Sequence, residues 1–465
     1  MMQEAVKVIK LQLLASPEVF RSLDGQSKIC NWLYNHLLEK ANLLKQQFKK
    51  TGDSDVAKTL YTERGLRNQL PALKKELAFL KAVHSSPLKN TALRLSQAIQ
   101  THQKSKKGQR NGQPVGWPKF RSWQAHWFSL FYDEPNKGFK INQSQLTLSL
   151  GGRIYLTFTM KDHDQLKNHL PRNLRIVKQA GNYYAIFTVA ITIPAQKSLN
   201  RIIALDPNHK NIVYGVDTSG KSIEVASALW LKYYDKRIDE LKSKRDRCLK
   251  KSQKIIITDA QGNPLKEKFI PSRRWKKYQR VLEKTRHKRQ EQTKTFVYTL
   301  SHQICKNYDL IAIGDYTPHG GGITTSMRRA MNNRSLIGRL KKALQWVAVK
   351  SGKHFIEYDE KGTTRTCNHC HYIHAESLHP SIRQWNCPDC HKTHLRDENA
   401  AINGLKKILR DLKEKSETLV SQVPCSGLFQ VIERWAWRVL PSGVHKTLRG
   451  LDSELSQRQE IKLGT

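Results

Sequence analysis

The stretch RIIALDPNHKNIVYGVDTSGKSIEVA, residues 201–226, holds three apolar runs in quick succession: RIIALD, NIVYGVD and SIEVA. Each is short and rich in β-branched residues, and the second and third are joined across Thr218-Ser219-Gly220, which reads as strands linked by a tight turn. Working outward, two basic helical stretches follow at 231–252 and 272–295, with a loop expected between them around Gly262 and Pro264. Then come a buried strand ending in Asp315 (DLIAIGD, 309–315), an amphipathic helix after Asn333 and Ser335 that repeats Leu336, Ile337, Leu340, Leu344 and Val347, and a strand HFIEYD. Three strands, helix, strand, helix, strand is the order of a mixed α/β sheet.

Upstream, VKVIKLQLL at 5–13 alternates as a strand, and from Ser16 to about residue 105 Trp32, Leu33, Leu37, Leu38 and Leu43 recur at helical spacing. A basic, Gly/Pro-punctuated linker at 102–120 leads to the strand-like runs WFSLFY, LTLSL, RIYLTFT and YYAIFTVAI. We therefore expect a β-barrel or sandwich built from 1–15 and 106–200, interrupted by a helical module at 16–105.

The chain has 465 residues, room for about three domains. Its 81 Lys and Arg against 39 Asp and Glu leave +42. So large a surplus repels itself and points to a polyanionic partner, nucleic acid first. A mean hydropathy of −0.62 and the absence of a long apolar run exclude a bilayer-spanning segment, and the N-terminal run lacks a signal peptide's apolar core. An intracellular, nucleoid-associated protein of a prokaryotic cytoplasm is expected, with no membrane partner.

Cys367, Cys370, Cys387 and Cys390 form C-x2-C-x16-C-x2-C, the spacing of a four-cysteine zinc ribbon, here placed at 363–392. Four protein ligands leave no open position, so one structural Zn2+ is expected. The neighbouring His369, His371, His374, His379, His391 and His394 are then expected at the surface, facing solvent or nucleic acid. Cys30, Cys248, Cys305 and Cys425 are scattered.

Asp206 ends RIIALD, and Asp397 opens the apolar-periodic segment RDENAAINGLKKIL. Singly they read as a turn residue and a helix N-cap. Together, one acid ending the first strand of a mixed sheet and another opening its last helix is how a ribonuclease-H-like fold gathers a two-metal site. Two Mg2+ ions need three or four carboxylates. A third acid is expected from the strand IAIGD.

The run from ALDPNHKN through IAIGDYTP and TTRTCNHC to WNCPDCHKTHLRDENAAINGL resembles the TnpB family, transposon-encoded RNA-guided nucleases related to type V CRISPR effectors. The match covers about residues 200–410 and implies a RuvC nuclease domain (201–362 and 393–415), a guide RNA, a double-stranded DNA target, and catalytic roles for Asp206 and Asp397. The middle acid departs: Gly314 stands where the family carries glutamate, and Asp315 matches the following aspartate. Neighbouring strand residues face opposite ways, so Asp315 cannot replace residue 314 unless Gly314 bulges. Glu360, in EYDEKGTTRTC, is the preferred substitute, with Asp315 next. The third alternative is that no acid arrives and the protein is a nuclease-inactive, RNA-guided DNA-binding protein.

The helix SRRWKKYQRVLEKTRHKRQEQTK carries ten Lys or Arg against two acids. Arg273, Arg274, Lys276, Lys277 and Arg280 surround Trp275 and Tyr278, an arrangement suited to phosphates and stacking, and Lys119 and Arg121 lie between aromatics in GWPKFRSW. The triple glycine at 320–322 reads as a flexible lid, and the tail at 416–465 has no functional reading.

Overall fold

A computed structural model describes residues 4–122, 127–196, 198–208, 210–258, 264–316, 336–375, 378, 382–415, 431–440 and 442–449. The triple glycine, Asn333, Ser335, Gly262, His379 and Cys425 lie outside the described residues. The chain divides into two compact units, Glu4–Ile191 and, with residues 1–3, Thr192–Thr465.

In the first unit, strand β1 (Glu4–Leu14) buries Ile9, Leu11 and Leu13 on one face, as its period of two requires. Helices α1 (Pro17–Thr51), α2 (Ser54–Tyr61), α3 (Leu70–Glu76) and α4 (Ser85–Lys106) follow. Proline starts α1 and Gly52, at φ 66°, ends it in the left-handed conformation that glycine takes most easily. Then come β2 (Ser129–Tyr132), β3 (Phe139–Asn142), β4 (Gln145–Ser149), β5 (Tyr155–Met160), β6 (Pro171–Gln179) and β7 (Asn182–Thr192). They form one sheet with β1, in the order β2-β6-β7-β1-β5-β4-β3. Leu33, Leu37, Leu88 and Leu95 of the helices share a single core with Leu146, Phe158 and Phe187 of the strands. The helical segment and the β region of this unit thus share one core.

The second unit contains β8 (Ile202–Pro207), β9 (Val213–Asp217), β10 (Lys221–Val225), α5 (Trp230–Lys250), β11 (Lys254–Thr258), β12 (Pro264–Phe269), α6 (Arg273–Asn307), β13 (Leu310–Gly314), α7 (Ile337–Lys350), β14 (His354–Tyr358), β15 (Gln384–Asn386), β16 (Thr393–Leu395), α8 (Arg396–Lys415), β17 (Glu433–Leu440) and β18 (Gly443–Arg449). Its sheet runs β14-β13-β8-β9-β10-β17-β18. Strands β8, β9 and β10 pair antiparallel, while β13 runs parallel to both β8 and β14. Ile203, Leu205, Ile311 and Ile313 face α6 and α7; Ile202, Ala204, Leu310 and Ala312 face α8. Burial on both faces explains why LIAIG is apolar throughout, where a half-buried strand would alternate.

One reading needs correction. The expected loop between the basic helices is the hairpin β11–β12. Within the segment left without a functional reading, β17 pairs parallel with β10 over five residues from Lys221↔Glu433 to Val225↔Trp437, and Trp437 and Val439 enter the core against α6. Polar residues flank that short aromatic run, which hid its period of two.

Candidate active site and metal centre

Asp206 closes β8 on the face that α8 covers, since it follows Ile202 and Ala204 at intervals of two. The first turn of α8 brings Asp397 to the same region, inside the helix rather than at the N-cap its spacing suggested. Burial, then repulsion from Glu360 and Asp397, push the Asp206 carboxyl well above the usual range; Arg396 and Arg383 offset part of this. The three acids therefore share one electrostatic environment although Asp206 and Asp397 stand 191 positions apart in the sequence.

Glu360 enters from the turn after β14, and glycine at 314 makes room for it. A β-carbon built on Gly314 would stand 1.6 Å from Glu360 Oε1, 2.3 Å from its Cδ and 2.4 Å from its Cγ. The Glu360 side chain thus fills the space that a side chain at 314 would take. Its carboxyl is raised to about 7, by burial first and by Asp315 second, with Lys341 and the Tyr316 amide opposing. Glu360 Oε1 is buried and has no hydrogen-bond partner among the described residues.

Asp315 is placed differently. The β13–β14 register is regular through Gly314↔Tyr358, so no bulge turns residue 315 inward. Its amide donates to the Tyr358 carbonyl at 2.9 Å, and its exposed carboxylate accepts the Glu360 amide at 3.2 Å. Through these two bonds Asp315 shapes the turn that delivers Glu360. Tyr358 anchors the same turn by donating its hydroxyl to the Leu205 carbonyl at 3.1 Å, next to Asp206. A β-carbon on Gly404 of α8 would meet that hydroxyl at 2.5 Å, so a side chain there would push the ring away.

Asp397 accepts hydrogen bonds from Asn208 Nδ2 at 3.2 Å and from Arg383 Nη1 at 3.3 Å to each oxygen. Arg383 sits just before β15, and its carbonyl accepts the Arg396 amide at 2.8 Å, which ties the cysteine-bearing hairpin to the start of α8. Arg383, Asn208 and Tyr358 were missed from sequence. Only Asn208, two residues after Asp206, carried a local signal. The carboxylates do not close on a single point: among the described residues, only the four cysteines bring three or more ligand atoms within 4.8 Å of one another.

Those cysteines fit zinc. Cys367 and Cys390 sulfurs lie 3.7 Å apart, and Cys370 and Cys387 sulfurs 3.5 Å apart. Thiolates at about 2.3 Å from a tetrahedral zinc stand about 3.8 Å from each other. The two C-x2-C turns match: His371 and His391 take positive φ (66° and 55°), and their amides donate to the Cys367 and Cys387 carbonyls at 3.1 and 3.0 Å. His394 corrects the surface reading, since it is buried with Nε2 3.1 Å from Cys367 Sγ and lies against Trp385.

Of the basic residues, Lys119, Arg273, Arg274, Lys276, Lys277 and Arg280 are exposed. Trp275 and Tyr278 are half-buried on the stripe that continues to buried Leu282, so they pack rather than stand open for stacking. Arg121 is likewise internal: its guanidinium lies 3.5 Å from the ring centres of both Tyr34 and Trp127 and bonds Asn31 at 3.3 Å. The guanidinium is thus stacked against two rings.

Residues 338–404 match the family model described as Cas12f1-like, TNB domain. Over 143 residues the chain is 29% identical to the TnpB-like proteins L79 and L770 of Acanthamoeba polyphaga mimivirus, covering 30% of this chain and 27% of theirs. The chain is similar to TnpB and Cas12 proteins. The match thus spans about a quarter of the length of those curated relatives. The Cas12f1 chain of a Cas12f1-sgRNA-target DNA complex shares the fold with a TM-score of 0.50 at 9% identity, over 86% of this chain and 98% of that one. No described helix is long and apolar enough to cross a membrane.

Proposed function

We propose that the chain is an RNA-guided, magnesium-dependent DNA endonuclease whose two-metal site is formed by Asp206, Glu360 and Asp397. One observation carries this reading: the carboxylate of Glu360 stands over Gly314, in electrostatic contact with Asp206, with a buried oxygen that has no hydrogen-bond partner among the described residues. The strand order β14-β13-β8-β9-β10, antiparallel on one side of β8 and parallel on the other, supports a ribonuclease-H-like, RuvC-type sheet. We read the first unit's seven-stranded sheet as the counterpart of the expected β-barrel or sandwich.

The donor set suits the ions. A buried Asp206 carboxyl whose proton affinity is raised by Glu360 and Asp397 marks a place for hard divalent cations, and magnesium accepts such oxygens while keeping waters. When bound, two ions would activate water and stabilise the leaving oxygen of a phosphodiester. The chain's own residues do the rest. Asp315 and Tyr358 hold the Glu360 turn, Asn208 orients Asp397, and the Arg383 guanidinium stands beside the acids, where phosphate charge would concentrate. The four thiolates would hold one structural zinc, fastening Arg383 to α8. The exposed cations of α6 and Lys119 suit the backbones of a guide RNA and its DNA target.

The nuclease-inactive alternative requires that no acid replace the one missing at 314, and the position of Glu360 argues against that. The test is to sequence the RNA that copurifies with the chain and supply a matching plasmid with magnesium. The parent and Asp315→Ala cut, the latter more slowly; Asp206→Ala, Glu360→Ala and Asp397→Ala do not. Undiminished cutting by Glu360→Ala would remove the third ligand proposed here, and tight guided binding without cutting by the parent would favour the inactive reading.

A further inference from the structure

Past β10 the sheet continues through β17 and β18, and on the face that holds Asp206 these strands form an open cleft of about 410 Å³, lined among others by Asn211, Glu224, Ser227, Arg438, His445 and Thr447. Strand register fixes how it relates to the acids. Asp206 pairs with Tyr214, Tyr214 with Glu224, Glu224 with Ala436, and Ala436 with Thr447. Directly paired residues share a face, and each strand adds about 4.8 Å, so Thr447 lies about 19 Å from Asp206 along one row. Arg438 and His445 pair with each other two residues further on, on the same face.

A chain of hydrogen bonds leads from the acids into the cleft. Asn208 donates to Asp397 and accepts the Asn211 amide at 2.8 Å; the Asn211 side chain donates to Glu224 at 2.5 Å; Glu224 is ion-paired with Arg449. The one acid of the cleft is thereby neutralised. Arg438 is exposed and has no carboxylate partner among the described residues, and His445 and Thr447 are exposed beside it. The floor is thus net cationic and offers hydroxyl and amide groups.

We propose that this cleft is the track of the DNA strand being cut, binding its backbone a few nucleotides from the scissile phosphate, with Arg438 on a phosphate and Thr447 and Ser227 on phosphate or sugar oxygens. This rests on the endonuclease reading for its direction toward Asp206, but it is tested without cleavage. Thr447 and Leu448 are neighbours on β18 that point to opposite faces and are both exposed. The full chain carrying Thr447→Cys or Leu448→Cys is mixed, without magnesium, with a single-stranded 20-mer that bears a bromoacetyl group on an internal phosphorothioate, and the alkylated peptide is mapped. Thr447→Cys should label several-fold faster than Leu448→Cys, and an unmodified 20-mer should suppress the excess. Adding Arg438→Glu should abolish the excess and adding Arg438→Lys should retain most of it, which a mere folding defect would not do. Equal labelling at 447 and 448, or an excess indifferent to Arg438→Glu, overturns the proposal. Preferential labelling at 447 by a chain that never cuts DNA in magnesium supports the track and counts against the nuclease reading alone.

Discussion

Gly314→Ala is the sharpest perturbation available at the acids. The added β-carbon would sit 1.6 Å from Glu360 Oε1, whereas ordinary contact begins near 3.4 Å, so the carboxylate must retreat by the difference, about 1.8 Å. Only the end of a flexible side chain has to move, so the stability cost sits at the low end for overpacking, about 1 kcal/mol. Catalysis is less forgiving: about 1 Å of misplacement can cost on the order of 10²-fold. Guided plasmid cleavage in magnesium should therefore slow by about 10²-fold or more while the melting temperature hardly changes. The converse variant tests the same geometry. The carboxyl carbon of Glu360 is 2.3 Å from the position of a β-carbon at 314, about one and a half bond lengths. Gly314→Asp combined with Glu360→Ala therefore returns an acid to nearly the same space and should recover part of the activity that Glu360→Ala loses. Cutting by Gly314→Ala at the parent's rate would refute the claim that Glu360 works from above residue 314.

The acids also predict a pH dependence. In the metal-free chain Glu360 binds its proton up to about pH 7, against about 4.5 when unfolded, so the folded state holds more protons between these values and loses stability as pH rises through them. Glu360→Gln should flatten that decline in a melting-temperature series from pH 5 to pH 8. Cys387→Ser should lower bound zinc, read by elemental analysis, and with it the order of the β15–β16 hairpin; unchanged metal content would discard the ribbon. Arg434 of β17 donates to both oxygens of the buried Glu398, at 2.9 and 3.0 Å, directly after Asp397. Arg434→Ala should cost about 1–3 kcal/mol in a denaturant melt by leaving that carboxylate short of partners, whereas a merely appended tail would tolerate it.

Much was legible along the chain because the signals are local. Continuous apolar runs marked β8 and β13, alternation marked β1, and two C-x2-C turns marked a tetrahedral site, since each of these depends on residues within a few positions of one another. Asp206 and Asp397 were legible as a pair because they close a strand and open a helix. What the sequence could not decide was which acid joins them. Asp315 and Glu360 both remained open, and only the folded chain puts the Glu360 side chain into the space above Gly314. Arg383 became part of the site only when the hairpin bearing it docked on α8, and Arg121 and Trp275, plausible phosphate and stacking groups by composition, turned out to be half-buried. The tail at 433–449 became two strands of the central sheet because β10 would otherwise present an unpaired edge. Local patterning specifies elements and their caps; the convergence of side chains separated by more than a hundred residues is a property of packing alone.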